Sequence, residues 1–169
     1  MLLYLAYGSN LHPVRLTERV ASARLLGPVE LPGLRLAIHV RGGDDSGKGN
    51  LVACRGAPPA YGAVYEIAAE EKPVLDRYEG AGYRDTALEV TLDGSRRTCF
   101  TYLGHDTHID EALRPYDWYK HIILLGAQYL GAPAVYLDAI TRVECMPDPD
   151  ATRARLHGDL IKRMSVLEG

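Results

Sequence analysis

The sequence predicts an α+β fold, and three observations carry this prediction. The apolar run Leu2–Tyr7 is typical of a buried strand, and it breaks into a Gly-Ser-Asn turn before a helical segment. Several short alternating segments follow, and Gly, Pro and Asp turn signals separate them as in a sheet. The stretch Trp118–Leu130 is apolar around most of a helix, so protein must cover more than one of its sides.

The composition favours one globular domain spanning residues 1–169. Of these 169 residues, 47% are hydrophobic and 24% are charged, which is enough apolar material to bury a core. The formal net charge of -3 gives no general attraction to nucleic acid or to anionic membranes, so the expected partner is a small molecule. No stretch resembles a signal peptide or is long enough to span a bilayer, and a cytoplasmic location is expected.

Two residue types are informative. The three cysteines, Cys54, Cys99 and Cys145, are widely spaced in apolar surroundings and are expected to be reduced core residues, without disulfides or a zinc site. Eleven tyrosines stand against one Phe and one Trp. Because buried hydroxyl groups need hydrogen-bond partners, several tyrosines are expected to line a polar cavity.

Strand patterns recur through the first two thirds of the chain. Extended segments punctuated by turns are expected over Ala23–Val40, where Leu34, Leu36, Ile38 and Val40 share one strand face. Further strands are expected over Leu51–Cys54, Tyr61–Ile67, Tyr83–Leu92 and Thr98–Leu103. Asp93-Gly94 joins the last two as a hairpin.

Helical patterns complete the secondary structure. The expected helices are His12–Val20, Ala68–Glu79, Trp118–Leu130, Ala134–Val143 and Pro149–Met164. The second should bury a stripe of Val74, Leu75 and Tyr78. The last belongs to a helical tail, residues 147–169, whose docking stripe is Leu156, Leu160 and Met164.

The segment Arg41–Asn50, with sequence RGGDDSGKGN, is rich in Gly and Asp and predicts a mobile hairpin loop. It is not a nucleotide phosphate-binding loop, because Lys48 is followed by Gly49 and not by Ser or Thr. It is not an EF-hand either, because the closing Glu is missing at the required distance.

The stretch Tyr4–Leu11 is the first candidate for a binding site. A strand that ends in Gly8-Ser9-Asn10 before a helix presents unpaired backbone N–H groups, which can hold a carboxylate or a phosphate without a basic side chain. The alternative is a plain strand-to-helix connection in which Ser9 or Asn10 is the N-cap.

Glu79 is the second candidate, because it lies in the last turn of a predicted helix. The negative end of the helix dipole disfavours a carboxylate there and raises its pKa, more so if Tyr78 and Tyr83 exclude water. A raised pKa suits a general base near neutral pH. The alternative is an exposed Glu held near Arg77 or Arg84.

Two other groups are weaker candidates. The residues His105-Asp106-Thr107-His108 could bind a metal, but they lack a helical i, i+4 pair and are better explained as a solvated loop. Cys99 could be a nucleophile, yet it lies in the middle of a strand and its side chain could face either way.

Five groups of residues together resemble the gamma-glutamylcyclotransferases, in that family's order. They are Tyr7-Gly8-Ser9-Asn10, Gly62 with Val64-Tyr65, Glu79-Gly80, Tyr102-Leu103, and Tyr119-Lys120 with Ile122-Ile123. The resemblance covers roughly residues 4 to 130 and leaves out the tail after Pro147. The YGSN turn looks closer to the general branch of the family than to its glutathione-specific or gamma-glutamylamine-specific branches.

This resemblance implies a small mixed β-barrel flanked by helices. It also implies that Glu79 is the proton acceptor of an intramolecular cyclisation that releases 5-oxoproline, without metal or cofactor. The implied substrate-binding residues are Tyr7, Gly8, Ser9, Asn10, Leu11 and Tyr119, with Tyr83 and Tyr102 as secondary candidates.

Three points stay open on the sequence alone. The leaving amine is not predicted, because the 41–50 loop and the tail follow no family pattern. A homodimer is an alternative to a monomer. A non-catalytic barrel that binds a small ligand or regulates a partner is the alternative to an enzyme.

Overall fold

The computed structural model describes residues 1–166 and contains two sheets and five α-helices in that range. The strands are β1 (Leu2–Ala6), β2 (Arg24–Leu31), β3 (Leu34–Arg41), β4 (Gly47–Ala53), β5 (Ala60–Ile67), β6 (Tyr83–Leu92) and β7 (Ser95–Gly104). The helices are α1 (Pro13–Thr17), α2 (Lys72–Glu79), α3 (Asp117–Tyr129), α4 (Ala134–Thr141) and α5 (Ala151–Ser165). Short 3₁₀ turns lie at Ala69–Glu71, Gly80–Gly82 and Asp106–His108.

The larger sheet is mixed and has the strand order β2-β5-β1-β7-β6. Its central strand, β1, runs antiparallel to β5 and parallel to β7. The two edge strands approach each other, since the Leu92 side chain of β6 lies beside Gly27 of β2, with Cδ1 3.1 Å from where a Cβ would be. This contact shows that the sheet is curved. The combination of a mixed sheet with separate helices confirms the predicted α+β class. The implied barrel is not closed, because β2 and β6 share no backbone ladder within residues 1–166.

The core lies between the curved sheet and α3. Leu5 of β1 and Val64 of β5 are fully buried, as are Ile122 and Ile123 of α3. The small size of Gly126 lets α3 approach the first turn, because a Cβ there would lie 2.6 Å from the Leu11 Cβ. The prediction that protein covers α3 on more than one side is confirmed, since the first turn, α4 and α5 all pack against it.

The β6–β7 hairpin agrees with the prediction from Asp93-Gly94. Both turn residues have positive φ, 48° at Asp93 and 74° at Gly94, as a two-residue type I′ turn requires. The second strand begins at Ser95, three residues before the predicted start at Thr98.

The predicted first helix starts within one residue of the observed start, but it is three residues too long at its end. Helix α1 spans five residues, and its N-cap is His12, whose Nδ1 accepts a hydrogen bond of 3.2 Å from the Val14 N–H. Neither Ser9 nor Asn10 caps this helix. These two residues belong to a separate turn before it, in which the Leu11 N–H donates to the Gly8 carbonyl. The Asn10 side chain is thereby released for other contacts.

Two apolar stripes are also narrower than predicted. Tyr78 of α2 is 55% exposed and its ring lies under the Arg19 guanidinium, so Leu75 alone is buried on that helix. Leu156 of α5 is 63% exposed, whereas Leu160 and Met164 are buried as expected.

The predicted hairpin at Arg41–Asn50 is confirmed, but its loop is shorter than expected. Strand β4 begins at Gly47, and the remaining turn is closed by a hydrogen bond from the Gly42 N–H to the Ser46 carbonyl. Its polar residues bond to one another, since Asp44 accepts from Ser46 and Lys48. The high content of Gly and Asp suggested a longer loop. The polar side chains instead form hydrogen bonds with one another within the turn.

Candidate active site

The first turn presents open hydrogen-bond donors at the end of β1. The Leu11 N–H closes the turn on the Gly8 carbonyl at 3.2 Å. The N–H groups of Gly8, Ser9 and Asn10 donate to no other group within residues 1–166. Three adjacent N–H groups without a partner, on residues that line the pocket, are suited to bind an anion.

The turn forms one wall of a small pocket with a cavity volume of about 30 Å³. The residues that line it are Tyr4, Tyr7, Gly8, Ser9, Asn10, Gly49, Glu79, Tyr83, Tyr102 and Tyr119. The structure therefore brings together all the predicted site residues except one. Five of the lining residues are tyrosines, so the prediction of a tyrosine-lined polar cavity is confirmed.

Leu11 is the exception, because it does not line the pocket. Its side chain is fully buried in the core beside Gly126, and its carbonyl accepts a hydrogen bond of 2.7 Å from the Tyr65 hydroxyl. Leu11 therefore supports the turn from behind.

Glu79 is the last residue of α2, as the sequence predicts. Gly80 ends the helix with φ of 68°, and the carboxylate faces the pocket. Its hydrogen-bond partner is the Asn10 amide, with 3.3 Å between Nδ2 and Oε1, and not Arg77 or Arg84. Burial raises the pKa of Glu79, while the charges of Arg19 and Arg15 and the Asn10 hydrogen bond oppose that rise.

Tyr119 and Tyr83 hold the same peptide group at the opposite wall. The Gly49 N–H donates to the Tyr119 hydroxyl oxygen at 2.9 Å, and the Tyr83 hydroxyl donates to the Gly49 carbonyl at 2.6 Å. The Tyr119 proton is therefore free to be donated into the pocket, whereas the Tyr83 proton is already used. Burial raises the pKa of Tyr119 to about 12, so this donor stays protonated near neutral pH.

The other three tyrosines of the pocket also differ in whether their hydroxyl proton is already used in a hydrogen bond. The Tyr7 hydroxyl donates to the Tyr102 carbonyl, and the Tyr102 hydroxyl donates to Asp76 at 2.6 Å, so both shape the pocket wall. Tyr4 instead accepts a hydrogen bond of 3.1 Å from the Asn10 amide.

Sequence reasoning missed Tyr4 and Gly49. Tyr4 lies in the candidate stretch Tyr4–Leu11 but is not among the predicted substrate-binding residues, although its hydroxyl group in an apolar strand was a usable signal. Gly49 was assigned to a loop, and its place in the pocket depends on the pairing of β3 with β4.

The weaker candidates do not form sites. His105 and His108 lie on either side of Thr107, and no cluster of three or more metal-ligating side chains occurs within residues 1–166. Cys99 is fully buried outside the pocket, and burial raises the pKa of its thiol, so it is unsuited to act as a nucleophile.

A wider cleft continues outward from the pocket and shares Ser9, Glu79, Tyr83 and Tyr119 with it. The turn at Gly42–Asp44 lines it together with Lys48, and α5 contributes Arg153 and His157. The Lys48 ammonium group is paired with Asp44 at 2.8 Å and lies 5.0 Å from the centre of the Trp118 ring. The two segments that the sequence left without a role thus form the outer wall.

Comparisons with known proteins find similar sequences and similar folds. A family model described as the AIG2-like family matches residues 60–140. The chain is 29% identical over 154 residues to a Homo sapiens gamma-glutamylcyclotransferase, covering 84% of this chain and 78% of that protein. A Bos taurus gamma-glutamylcyclotransferase is 28% identical with the same coverage.

Solved structures match over nearly the whole chain. A protein named gamma-glutamyl cyclotransferase has a TM-score of 0.83 at 25% identity, covering 96% of this chain and 98% of that one. A Homo sapiens protein described as uncharacterized has a TM-score of 0.82 at 26% identity, covering 95% and 98%. In sequence and in fold, the chain is therefore similar to gamma-glutamylcyclotransferases.

Proposed function

We propose that the protein is a gamma-glutamylcyclotransferase that converts a gamma-glutamyl amide into 5-oxoproline and a free amine or amino acid. The observation that carries this proposal is the meeting of three groups in one pocket. These are the free N–H groups of the first turn, the Glu79 carboxylate and the unused Tyr119 hydroxyl proton.

The first turn holds the alpha-carboxylate of the substrate. Its three free N–H groups can bind both carboxylate oxygens, and the pocket that they face has no basic side chain. Bound there, the gamma-glutamyl chain can curl back so that its alpha-nitrogen reaches its own gamma-carbonyl carbon. Such positioning replaces an external nucleophile.

Glu79 moves the proton. The alpha-ammonium group of a free amino acid has a pKa of about 8 or above, so the nitrogen must lose a proton before it attacks. A carboxylate with a raised pKa, kept inside the pocket by Asn10, is placed to accept it. The attacking nitrogen gives up a second proton as its bond to the gamma-carbon forms. Glu79 relays both protons to the departing nitrogen, whose amide bond breaks, so that it leaves as an ammonium group.

Tyr119 stabilises the negative charge that develops on the gamma-carbonyl oxygen. Its hydroxyl oxygen is fixed by the Gly49 N–H, so the donor is oriented before the substrate binds. The outer cleft receives the leaving amine. We extend the proposal to a cytoplasmic location, supported by the three free thiols at Cys54, Cys99 and Cys145. We extend it also to glutathione metabolism, because glutathione is itself a gamma-glutamyl amide.

The test is incubation of the purified protein with a panel of gamma-glutamyl amino acids, gamma-glutamyl amines and glutathione. We expect release of 5-oxoproline, measured by mass spectrometry, from at least one compound and none from the Glu79→Gln variant. If no compound turns over but a gamma-glutamyl compound still raises the melting temperature, the protein is a binding module and the proposal fails.

A further inference from the structure

Arg19 lines the outer cleft and contacts Asn10 at the edge of the inner pocket. It follows α1, is half-buried, and its Nη1 donates to Asn10 Oδ1 at 3.0 Å. Its guanidinium carbon lies 4.6 Å from the centre of the Tyr78 ring, and Tyr78 directly precedes Glu79. Arg19 forms no ion pair with a carboxylate within residues 1–166, so this arginine is not held for a surface salt bridge.

The contact with Arg19 decides which way the Asn10 amide points. A guanidinium group can only donate hydrogen bonds, so the atom that it contacts must be the amide oxygen. The amide nitrogen is then the atom directed at Glu79 Oε1, 3.3 Å away, and at the Tyr4 hydroxyl, 3.1 Å away. A flipped amide would place its oxygen against the carboxylate, which repels it.

Asn10 is therefore fully engaged through its side chain. It is 3% exposed, its oxygen accepts from Arg19, and both amide protons have acceptors. What Asn10 can offer to a substrate is its backbone N–H. The side chain acts on Glu79 and Tyr4 instead.

We propose that Arg19 is a positioning residue, which orients the Asn10 amide and, through it, the Glu79 carboxylate and the Tyr4 hydroxyl. This inference rests on the proposed function. Arg19 lines the outer cleft but not the inner pocket, and it holds the last turn of α2 from two sides, through Asn10 and through Tyr78.

Two substitutions separate the hydrogen bond from the charge. Arg19→Met removes both, and Arg19→Lys keeps the charge but loses the planar guanidinium. We expect Arg19→Met to lower kcat by about tenfold or more, because a misplaced base loses its alignment, while KM changes less than about threefold.

The pH dependence of kcat/KM distinguishes a positioning role from a merely structural role, because loss of structural support alone would not shift its acid limb. Charged and titratable groups face Glu79 from several elements, namely Arg15 and Arg19, Tyr4 and Tyr7, Tyr83, Tyr102, and Tyr119. Loss of the Arg19 charge should raise the pKa of Glu79, so the acid limb of kcat/KM should move to higher pH in Arg19→Met. In Arg19→Lys this limb should stay at the wild-type pH although kcat is reduced.

The matched control is Arg163→Met. Arg163 also contacts this region of the chain, through an exposed ion pair with Glu18 of 2.6 Å, but it does not contact Asn10. We expect wild-type kcat and an unmoved pH profile for the control. Thermal melting of all variants verifies that they are folded. If Arg19→Met does not fold, the reduced kcat expected for Arg19→Lys becomes the test of the proposal.

The outcomes for Arg19 and for the proposed function are distinct. If the wild-type protein releases no 5-oxoproline, the proposed function fails. If the wild type is active and a folded Arg19→Met variant keeps its kcat and its acid limb, the function stands and the role of Arg19 is refuted. A rise in KM alone would also refute it, because Arg19 would then act on binding.

Discussion

At the scale of single residues, the pocket divides into groups that are free to act and groups that are already bonded. The Tyr119 proton and the N–H groups of the first turn are free, whereas the Tyr7 and Tyr102 hydroxyl protons are used within the protein. This division separates the residues whose removal should affect chemistry from those whose removal should affect stability.

Glu79→Gln should move activity and stability in opposite directions. Turnover should fall by at least about 10²-fold, the low end for a general base. Because the folded pKa of Glu79 is raised, its charge destabilises the fold above that pKa, and the penalty vanishes below the unfolded value. The variant should therefore be equally stable or up to about 1 kcal/mol more stable at neutral pH.

Melting curves and 5-oxoproline release measured from pH 3 to pH 9 test this. The stability difference should disappear at the acid end. A Gln variant that keeps its turnover, or that melts several degrees lower at pH 7, would exclude Glu79 as the base.

Tyr119→Phe and Tyr83→Phe form a matched pair at the Gly49 peptide. Each removes one hydroxyl group bonded to that peptide, so each should cost about 0.5 to 1.5 kcal/mol of stability. Only Tyr119→Phe also removes a free donor, and its kcat should fall by about 10²-fold. Equal losses of kcat in the two variants would show that Tyr119 acts through the shape of the pocket and not as a donor.

At the scale of elements, the turn between β1 and α1 places the anion site. Its form depends on Gly8, because a Cβ there would lie 3.7 Å from the Tyr119 hydroxyl oxygen, at ordinary contact distance. An alanine therefore fits, whereas the two further methyl groups of a valine would extend into the pocket.

Gly8→Val should abolish substrate binding, and Gly8→Ala should weaken it only partly. Isothermal titration with a slowly turned-over gamma-glutamyl analogue would measure both affinities. The φ of Gly8 lies outside the left-handed region, so both variants should fold. A folded Gly8→Val protein with wild-type affinity would remove the turn from the site.

At the scale of the whole molecule, two histidines connect stability to pH. Burial lowers the pKa of both His12, the N-cap of α1, and His157, which stacks on Trp118 at 3.6 Å between ring centres, to about 4. Both are neutral in the folded protein above that value.

None of the helices within residues 1–166 has the length and hydrophobicity needed to span a membrane.

Stability should therefore fall as the pH drops from about 6.5 to about 4, because the unfolded chain binds protons at these histidines first. The loss should be on the order of 1 to 3 kcal/mol per histidine. His157→Gln should remove roughly half of it, as judged by urea unfolding at pH 7 and pH 4.5. An unchanged pH dependence in that variant would show that His157 does not contribute.

Local chemistry determined much of this protein from the sequence alone. Alternating patterns and the Asp93-Gly94 turn determined the β6–β7 hairpin, and the apolar circumference of Trp118–Leu130 determined α3. Gly80 after Glu79 determined where α2 ends and hence where the carboxylate lies. Each of these features depends on residues that are neighbours along the chain.

Tertiary structure decided what depends on residues distant in sequence. Gly49 entered the pocket because β4 pairs with β3 and because Tyr83 and Tyr119 bond its peptide. Asn10 became a contact of Glu79 because His12 caps α1 and Arg19 holds the amide. The curved but open sheet likewise depends on edge strands that are far apart in the chain. Hydrogen bonds across 9 to 70 residues leave no local pattern, so only the folded chain determines them.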